Sequence, residues 1–354
     1  MLRAMVRPSS PPAQQESLFD LPVPASPRVA WGAQDDARLA PSPQGEAVHA
    51  LAARLSPRIH LGTSSWSFPG WRDLVWAGEH STTALAQQGL AVYARHPLLR
   101  CVSLDRSFYR PMRADQYADY AVQVPADFRF VVKAPALITD AVTRDAQGRS
   151  VQPNPAFLDP ALAVSEFAQP ALDGLGMRLG ALVFEIPPLP PALRGDIGTL
   201  LPRLARLLHA LPRLTARAPD AVVSVEVRDP EWLTPAFVAV LKDAGARYCL
   251  GLHPRLPPLE AQLPLLRALW PGPFVCRWSL NRRHGARGYD AAKASYAPFN
   301  RMVDPDPETR RGLARIARAT ALAGYPVYVT VNNKAEGSAP LSVQALAEAV
   351  DSAA

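Results

Sequence analysis

The stretch VSVEVRDPEW, Val223 to Trp232, decides how the rest of the chain is read. Val223, Val225 and Val227 share one parity; Ser224, Glu226 and Arg228 share the other. In an extended chain this puts an apolar row on one face and a charged row on the opposite face. A carboxylate and a guanidinium on one strand face are costly to desolvate unless each finds a partner. Asp229-Pro230 stops the strand, and Trp232 follows it. A strand that ends in charged groups before a loop is where a barrel enzyme places its chemistry.

Working outward, strand-like and helix-like segments alternate from residue 57 onward. The strands are expected at Ile59–Trp66, Leu99–Asp105, Phe128–Pro135, Leu179–Pro188, Ala221–Arg228, Arg247–His253, Pro273–Ser279 and Tyr325–Asn333. Helical periodicity marks Thr82–Arg95, Ala114–Val122, a long helix-rich connection reaching Leu175, Leu200–Leu211, Pro235–Ala244, Pro307–Ala323 and Ser342–Val350. The connection between strands six and seven is short and Pro-rich, so its helix is expected to be reduced. Eight strands, mostly separated by helices and each followed by polar residues, predict an α/β fold, a TIM (β/α)8 barrel. The alternative is a doubly wound open sheet, which usually announces itself with a glycine-rich first turn; GTSSWS is not one.

Residues 1–55 are rich in Pro, Ala, Ser and Gln and show little periodicity, so they read as a disordered tail ahead of a barrel domain at 56–354. Lys plus Arg number 38 against 31 Asp plus Glu, a formal charge of +7. Charges in the tail cancel, so the excess belongs to the folded body; it permits a polyanionic partner without demanding one. Cys101, Cys249 and Cys276 are far apart, with no CxxC spacing, which argues for free thiols in a reducing cytoplasm rather than a disulfide framework or a zinc site. Neither a signal peptide nor a membrane-spanning apolar run is evident.

One island breaks the tail. QESLF, Gln15 to Phe19, resembles the short peptide by which bacterial replication and repair proteins bind the β sliding clamp. That resemblance places Gln15 in one subsite and Leu18 and Phe19 in an apolar pocket, with a chance pentapeptide as the alternative.

The segments GTSSWSFPGW, SFYR, FRFVVKAPALIT, LGALVFEIPP, VSVEVRDPEW and VNNKAEGSAP, in this order over roughly residues 58–350, resemble the YecE-like family, domain of unknown function 72. The resemblance implies a TIM barrel and no particular activity. The chain departs from the family pattern at four places. Ser103 and Asp105 replace a Glu and an Asn in the second strand. Thr139 and Asp140 replace a Thr-His pair, and Glu185 replaces a Gln. Trp278 and Ser279 follow Arg277 where a His-Gly is usual.

If the strands close into a barrel, their ends bring Ser64, Asp105, Lys133, Glu185, Glu226, Arg228, His253, Arg277, Asn332 and Asn333 to one mouth. Lys133 is the most telling, since a lysine on an apolar strand needs an acidic partner or an anionic ligand. Asp105, Lys133, Glu185 and Glu226 are the candidate catalytic groups. Arg228, Arg277, Ser64, His253, Asn332 and Asn333 are candidates for binding substrate, as are Trp66 and Trp232 by stacking. Structural ion pairs, a hydrogen-bonded core histidine and packed aromatics are the ordinary explanations for the same residues. The basic loop RRHGARG, Arg282 to Gly288, would attract phosphate if it lies at the mouth. No motif calls for a metal, although carboxylates from different strands are compatible with Mg²⁺ or Mn²⁺.

Three functions fit this pattern. The first is an enzyme acting on a phosphate ester or nucleic acid, linked to DNA replication or repair by the clamp-like peptide. The second is a non-catalytic barrel that binds DNA or a protein partner. The third is glycosidase-like chemistry by Glu185 and Glu226.

Overall fold

A computed structural model describes residues 39–145 and 148–352. Eight parallel strands form a closed barrel. In chain order they are β1 (Ile59–Thr63), β2 (Cys101–Leu104), β3 (Arg129–Lys133), β4 (Leu179–Ile186), β5 (Val222–Val227), β6 (Arg247–Leu252), β7 (Phe274–Trp278) and β8 (Val327–Val331). Each pairs with its sequence neighbours, and β8 closes on β1 through Val327↔Ile59 to Val331↔Thr63. The right-handed β-strand–helix–β-strand connection dictates this order. The fold is therefore the TIM barrel that the alternation predicts.

Alternation within the strands explains the two sides of the sheet. Val225 and Val227 pack outward into the main core with the helices, while Val222 joins Val131, Ala181, Val183, Cys249, Val275 and Tyr328 in a plug inside the barrel. The inward row continues upward through Ser224 and Glu226, so the polar face of the opening stretch points into the barrel. Outside, the helix Ile197–Ala210 buries Ile197, Leu200, Leu201, Leu204, Leu207 and Leu208, one stripe at helical spacing. Each such side chain contributes roughly 1.5–3 kcal/mol when taken from water. Gly62 on β1 has no alternative: a Cβ there would lie 1.8 Å from the carbonyl oxygen of Cys101.

Three expectations are corrected. Residues 39–55 are not tail: Ala40–Pro41 pairs with Trp76–Ala77. Helix Glu46–Arg54 buries Leu51 and Ala52 and ties Arg54 to Asp351 of the last helix. Its alanine-rich sequence reads as tail because the helix draws its stability from tertiary contact. The connection after β6 carries a full helix, Leu259–Ala268, with Pro264 inside it. The connection after β3 is not only helical, since Val142–Arg144 and Ser150–Pro153 form an antiparallel hairpin. Asp140 anchors that hairpin: its carboxylate accepts from Arg144 Nε at 2.6 Å and from Val142 N at 3.2 Å.

Cys101, Cys249 and Cys276 are buried free thiols. Among the described residues no helix is long and apolar enough to cross a membrane. The QESLF peptide lies outside the described residues.

Candidate anion site at the barrel mouth

The register of β4 and β5 sets Glu185 beside Glu226. Two carboxylates side by side on neighbouring strands repel, the more so away from water. The chain answers with three cations: Lys133 of β3, Arg277 of β7, and Arg228 just past the end of β5 itself. Arg277, at the end of β7, donates through Nη1 to Glu226 Oε2 at 2.6 Å and through the same nitrogen to Glu185 Oε2. Its Nη2 reaches Asp105 Oδ2 at 3.0 Å. Arg228 Nη2 lies 2.9 Å from Glu226 Oε1 and 3.2 Å from Glu185 Oε2. Lys133 Nζ lies 3.0 Å from Glu185 Oε2 and sits over the Phe108 ring, 3.5 Å from its centroid. Three positive and three negative side chains thus form one continuous network, with Glu226 wholly buried at its base.

Gly251 makes room for it. A Cβ at that position of β6 would lie 3.3 Å from Glu226 Oε1 and 2.9 Å from Leu256 Cδ1. Ser103 then orients Asp105, donating from Oγ to Oδ1 at 2.6 Å.

Burial alone would raise the Glu185 carboxyl, but Arg228, Lys133 and Arg277 hold it well below the usual carboxylate range. Burial would likewise weaken Arg277 and Arg228 as cations, yet the facing carboxylates hold both guanidiniums above their ordinary value. His253 behaves differently. Burial, then Arg228, push it down to about 3. Its Nδ1 accepts from the backbone N–H of Arg255 at 3.1 Å, so the neutral ring carries its proton on Nε2.

Above the network lies a narrow, mostly polar cleft. Ser64, Asp105, Glu185, Arg228, Arg277, Ser279, Tyr289, Thr330 and Asn332 are among its lining residues. Two of these residues carry a buried donor with no hydrogen bond among the described residues: Arg228 Nη1 and Thr330 Oγ1. The enclosed room in it is about 20 Å³, on the scale of one water molecule, so it suits a single small group and not a duplex.

The expected residues therefore divide. Ser64, Asp105, Glu185, Arg228, Arg277 and Asn332 meet at the cleft, while Lys133 and Glu226 support it from below. Trp66 and Trp232 are not at the mouth. Trp66 packs edge-on against Tyr120, and Trp232 packs against Phe237 with no exposed surface. Burying an indole outweighs presenting it to solvent. Asn333 is also structural; its Oδ1 accepts from Trp71 Nε1 at 3.1 Å and from Ala339 N at 2.8 Å. Thr330 and Tyr289 are additions. Thr330 shares the parity of Tyr328 and Asn332, so strand alternation contains that signal. Tyr289 comes from a helix after the basic loop, and nothing in its local sequence marks it. In that loop Arg282 Nη1 is tied to Leu256 O at 2.6 Å, Arg283 pairs with Asp304, and Arg287 is exposed.

Among the described residues no group of three or more His, Cys, Asp or Glu side chains is placed to hold a metal ion. The clustered carboxylates here are engaged by Arg and Lys, a donor set that does not fit a divalent ion.

A family model described as "Protein of unknown function DUF72" matches residues 60–354. The chain belongs to the DUF72 family. A DUF72 family protein of Thermotoga maritima MSB8 has a similar structure, with TM-score 0.54 and 18% identity, over 82% of this chain and 98% of that one. Another, from Enterococcus faecalis V583, gives TM-score 0.53 and 17% identity, over 82% and 95% of the two chains. At these identities the likeness is one of fold. No curated protein matches the sequence. For this DUF72 chain, the charge network therefore has to be interpreted from its own geometry.

His253 yields a pH prediction. Above its ordinary value of about 6.5 the ring is neutral in both folded and unfolded chains. As pH falls below that value, the unfolded chain binds a proton that the folded chain refuses until about 3. Stability is therefore lost on acidification across this window. His60 and His96, both pushed down to about 4 by burial first, add to the same loss. In His253→Gln, the urea midpoint should fall less steeply between about pH 7 and about pH 5 than in wild type. An unchanged slope would show that His253 is solvated.

Proposed function

We propose that the barrel mouth binds the anionic, oxygen-rich group of a small ligand, and that the protein is an enzyme acting on a phosphate ester. The observation that carries this reading is Arg228, a cleft-lining residue whose buried Nη1 has no hydrogen-bond partner among the described residues. An unmet charged donor is costly, and a ligand oxygen would satisfy it. Thr330, also lining the cleft, carries a second unmet donor, Oγ1, and Ser64, Ser279 and Asn332 supply further polar groups. Arg228 and Arg277 would stabilise charge developing on the ligand. Asp105, the most exposed carboxylate of the network, would be the acceptor for a proton from an attacking water or hydroxyl. Glu226, buried beneath the cleft, would position both arginines.

Calorimetric titration with inorganic phosphate, followed by a screen of phosphomonoesters and phosphodiesters, tests the reading. Saturable binding and turnover of one ester class are expected; no saturable heat would remove it.

A second reading, a non-catalytic anion-binding barrel, is favoured by the balance of three cations against three carboxylates. Binding without turnover would select it. Glycosidase chemistry has less support. Glu185 and Glu226 share one nitrogen of Arg277, and Glu185 is held ionised. A glycosidase needs one carboxylic acid that keeps its proton.

The link to DNA replication or repair rests on Gln15, Leu18 and Phe19 together with the basic body. The full chain is expected to be retained by immobilised β sliding clamp. Leu18→Ala with Phe19→Ala should abolish retention, and equal retention of the double variant would withdraw the partner. Any binding to a DNA column should weaken as salt rises.

A further inference from the structure

The chain is dominated by arginine and contains only four lysines: Lys133, Lys242, Lys293 and Lys334. Lys242 and Lys293 are exposed. Lys133 is paired with Glu185 at the heart of the charge network. Lys334 fits neither pattern. It follows Asn332 and Asn333 at the end of β8, is partly buried, and among the described residues its side chain makes no ion pair or hydrogen bond. Its Nζ instead stands over two aromatic faces, 5.6 Å from the Tyr289 centroid and 6.0 Å from that of Phe299. Tyr289 also lines the cleft, so the amine and the cleft share that ring.

Ring faces at that distance hold an ammonium only weakly. Burial, then the charge of Lys293, lower Lys334 from its ordinary value, while Asp290 opposes them. A desolvated amine beside a second cation is the environment that makes lysine a nucleophile. Arginine cannot take that part, because its guanidinium does not give up its proton.

We propose that Lys334 forms an imine with the carbonyl group of a small phosphorylated aldehyde or ketone whose phosphate occupies the Arg228 cleft. The amine lone pair adds to the carbonyl carbon and makes the C–N bond. The C=O π pair moves to oxygen, which takes one proton from nitrogen. The carbinolamine then expels that oxygen as water together with the second amine proton, leaving C=N. No electrons are gained or lost. The phosphate half of this proposal rests on the anion reading above; the amine half does not.

The two halves separate in one experiment on the full chain. The protein is incubated with glycolaldehyde phosphate or with glycolaldehyde, each with sodium borohydride to reduce any imine to a stable secondary amine. Adducts are then assigned by peptide mapping across the four lysines and the N-terminal amine. The expected result is a severalfold excess of adduct on Lys334 over Lys242 and Lys293, greater with the phosphorylated probe, and lost in Lys334→Met, which keeps an apolar chain over the two rings. Adduct shared equally among the exposed amines, or none on Lys334 in the wild-type protein, overturns the proposal. A Lys334 excess that is equal for both probes upholds the amine and removes the phosphate half.

Discussion

Arg277→Ala is expected to cost about 3–5 kcal/mol of folding stability, the penalty for leaving buried charges without their counter-ion. This is the largest loss expected from any single substitution in the network, because Arg277 touches all three of its carboxylates: Asp105, Glu185 and Glu226. Glu226 is wholly buried, and after the substitution it would face Arg228 alone. Hydration cannot easily rescue it, since the strand below is packed against Val131, Val183 and Val275. Urea unfolding near neutral pH measures the loss, which corresponds to a fall in Tm of roughly 10 °C. Adding Glu226→Gln to the alanine variant should restore part of it, because the two residues act as one unit and their effects do not add. A loss below about 1 kcal/mol would mean that the network is hydrated like a surface ion pair.

The second large effect concerns Arg228. Arg228→Lys keeps a positive charge opposite Glu185 and Glu226 but removes the second arm of the fork, whose Nη1 is the unmet donor. A lysine ammonium cannot present the same planar pair of donors. If that nitrogen contacts an anionic ligand, affinity or turnover should fall about 10²-fold, the usual consequence of losing one preorganised donor. Stability should fall much less than in Arg277→Ala, because the charge balance is kept. Arg149→Lys, in the hairpin after β3, serves as the control and should leave binding unchanged. If Arg228→Lys binds phosphate as tightly as wild type, the cleft is not the anion site.

The functional conclusion depends on which charges the sequence announces and which it conceals. Lys133, Glu226, Arg228 and Arg277 all occupy strand positions where a charge is out of place, and alternation alone aims Glu226 and Arg228 at one face. Their pairing is not legible locally. Arg277 is separated from Glu185 by 92 residues and from Asp105 by 172. Trp66 and Trp232 mislead for the opposite reason: a loop aromatic looks the same whether it faces a ligand or the underside of a helix. Lys334 gives only its type away in sequence. The rings beneath it come from a helix and a loop that precede it by tens of residues.

By itself the sequence determined the eight-strand alternation, the family and the polar row along β5, because period, turn chemistry and short motifs are properties of neighbouring residues. Only the tertiary structure decided that Glu185 and Glu226 share one guanidinium nitrogen, that Arg228 keeps a donor free, and that Lys334 has aromatic faces in place of a carboxylate. Those facts depend on register and barrel closure, which bring distant strand ends within hydrogen-bonding distance and exclude the water that would otherwise screen them.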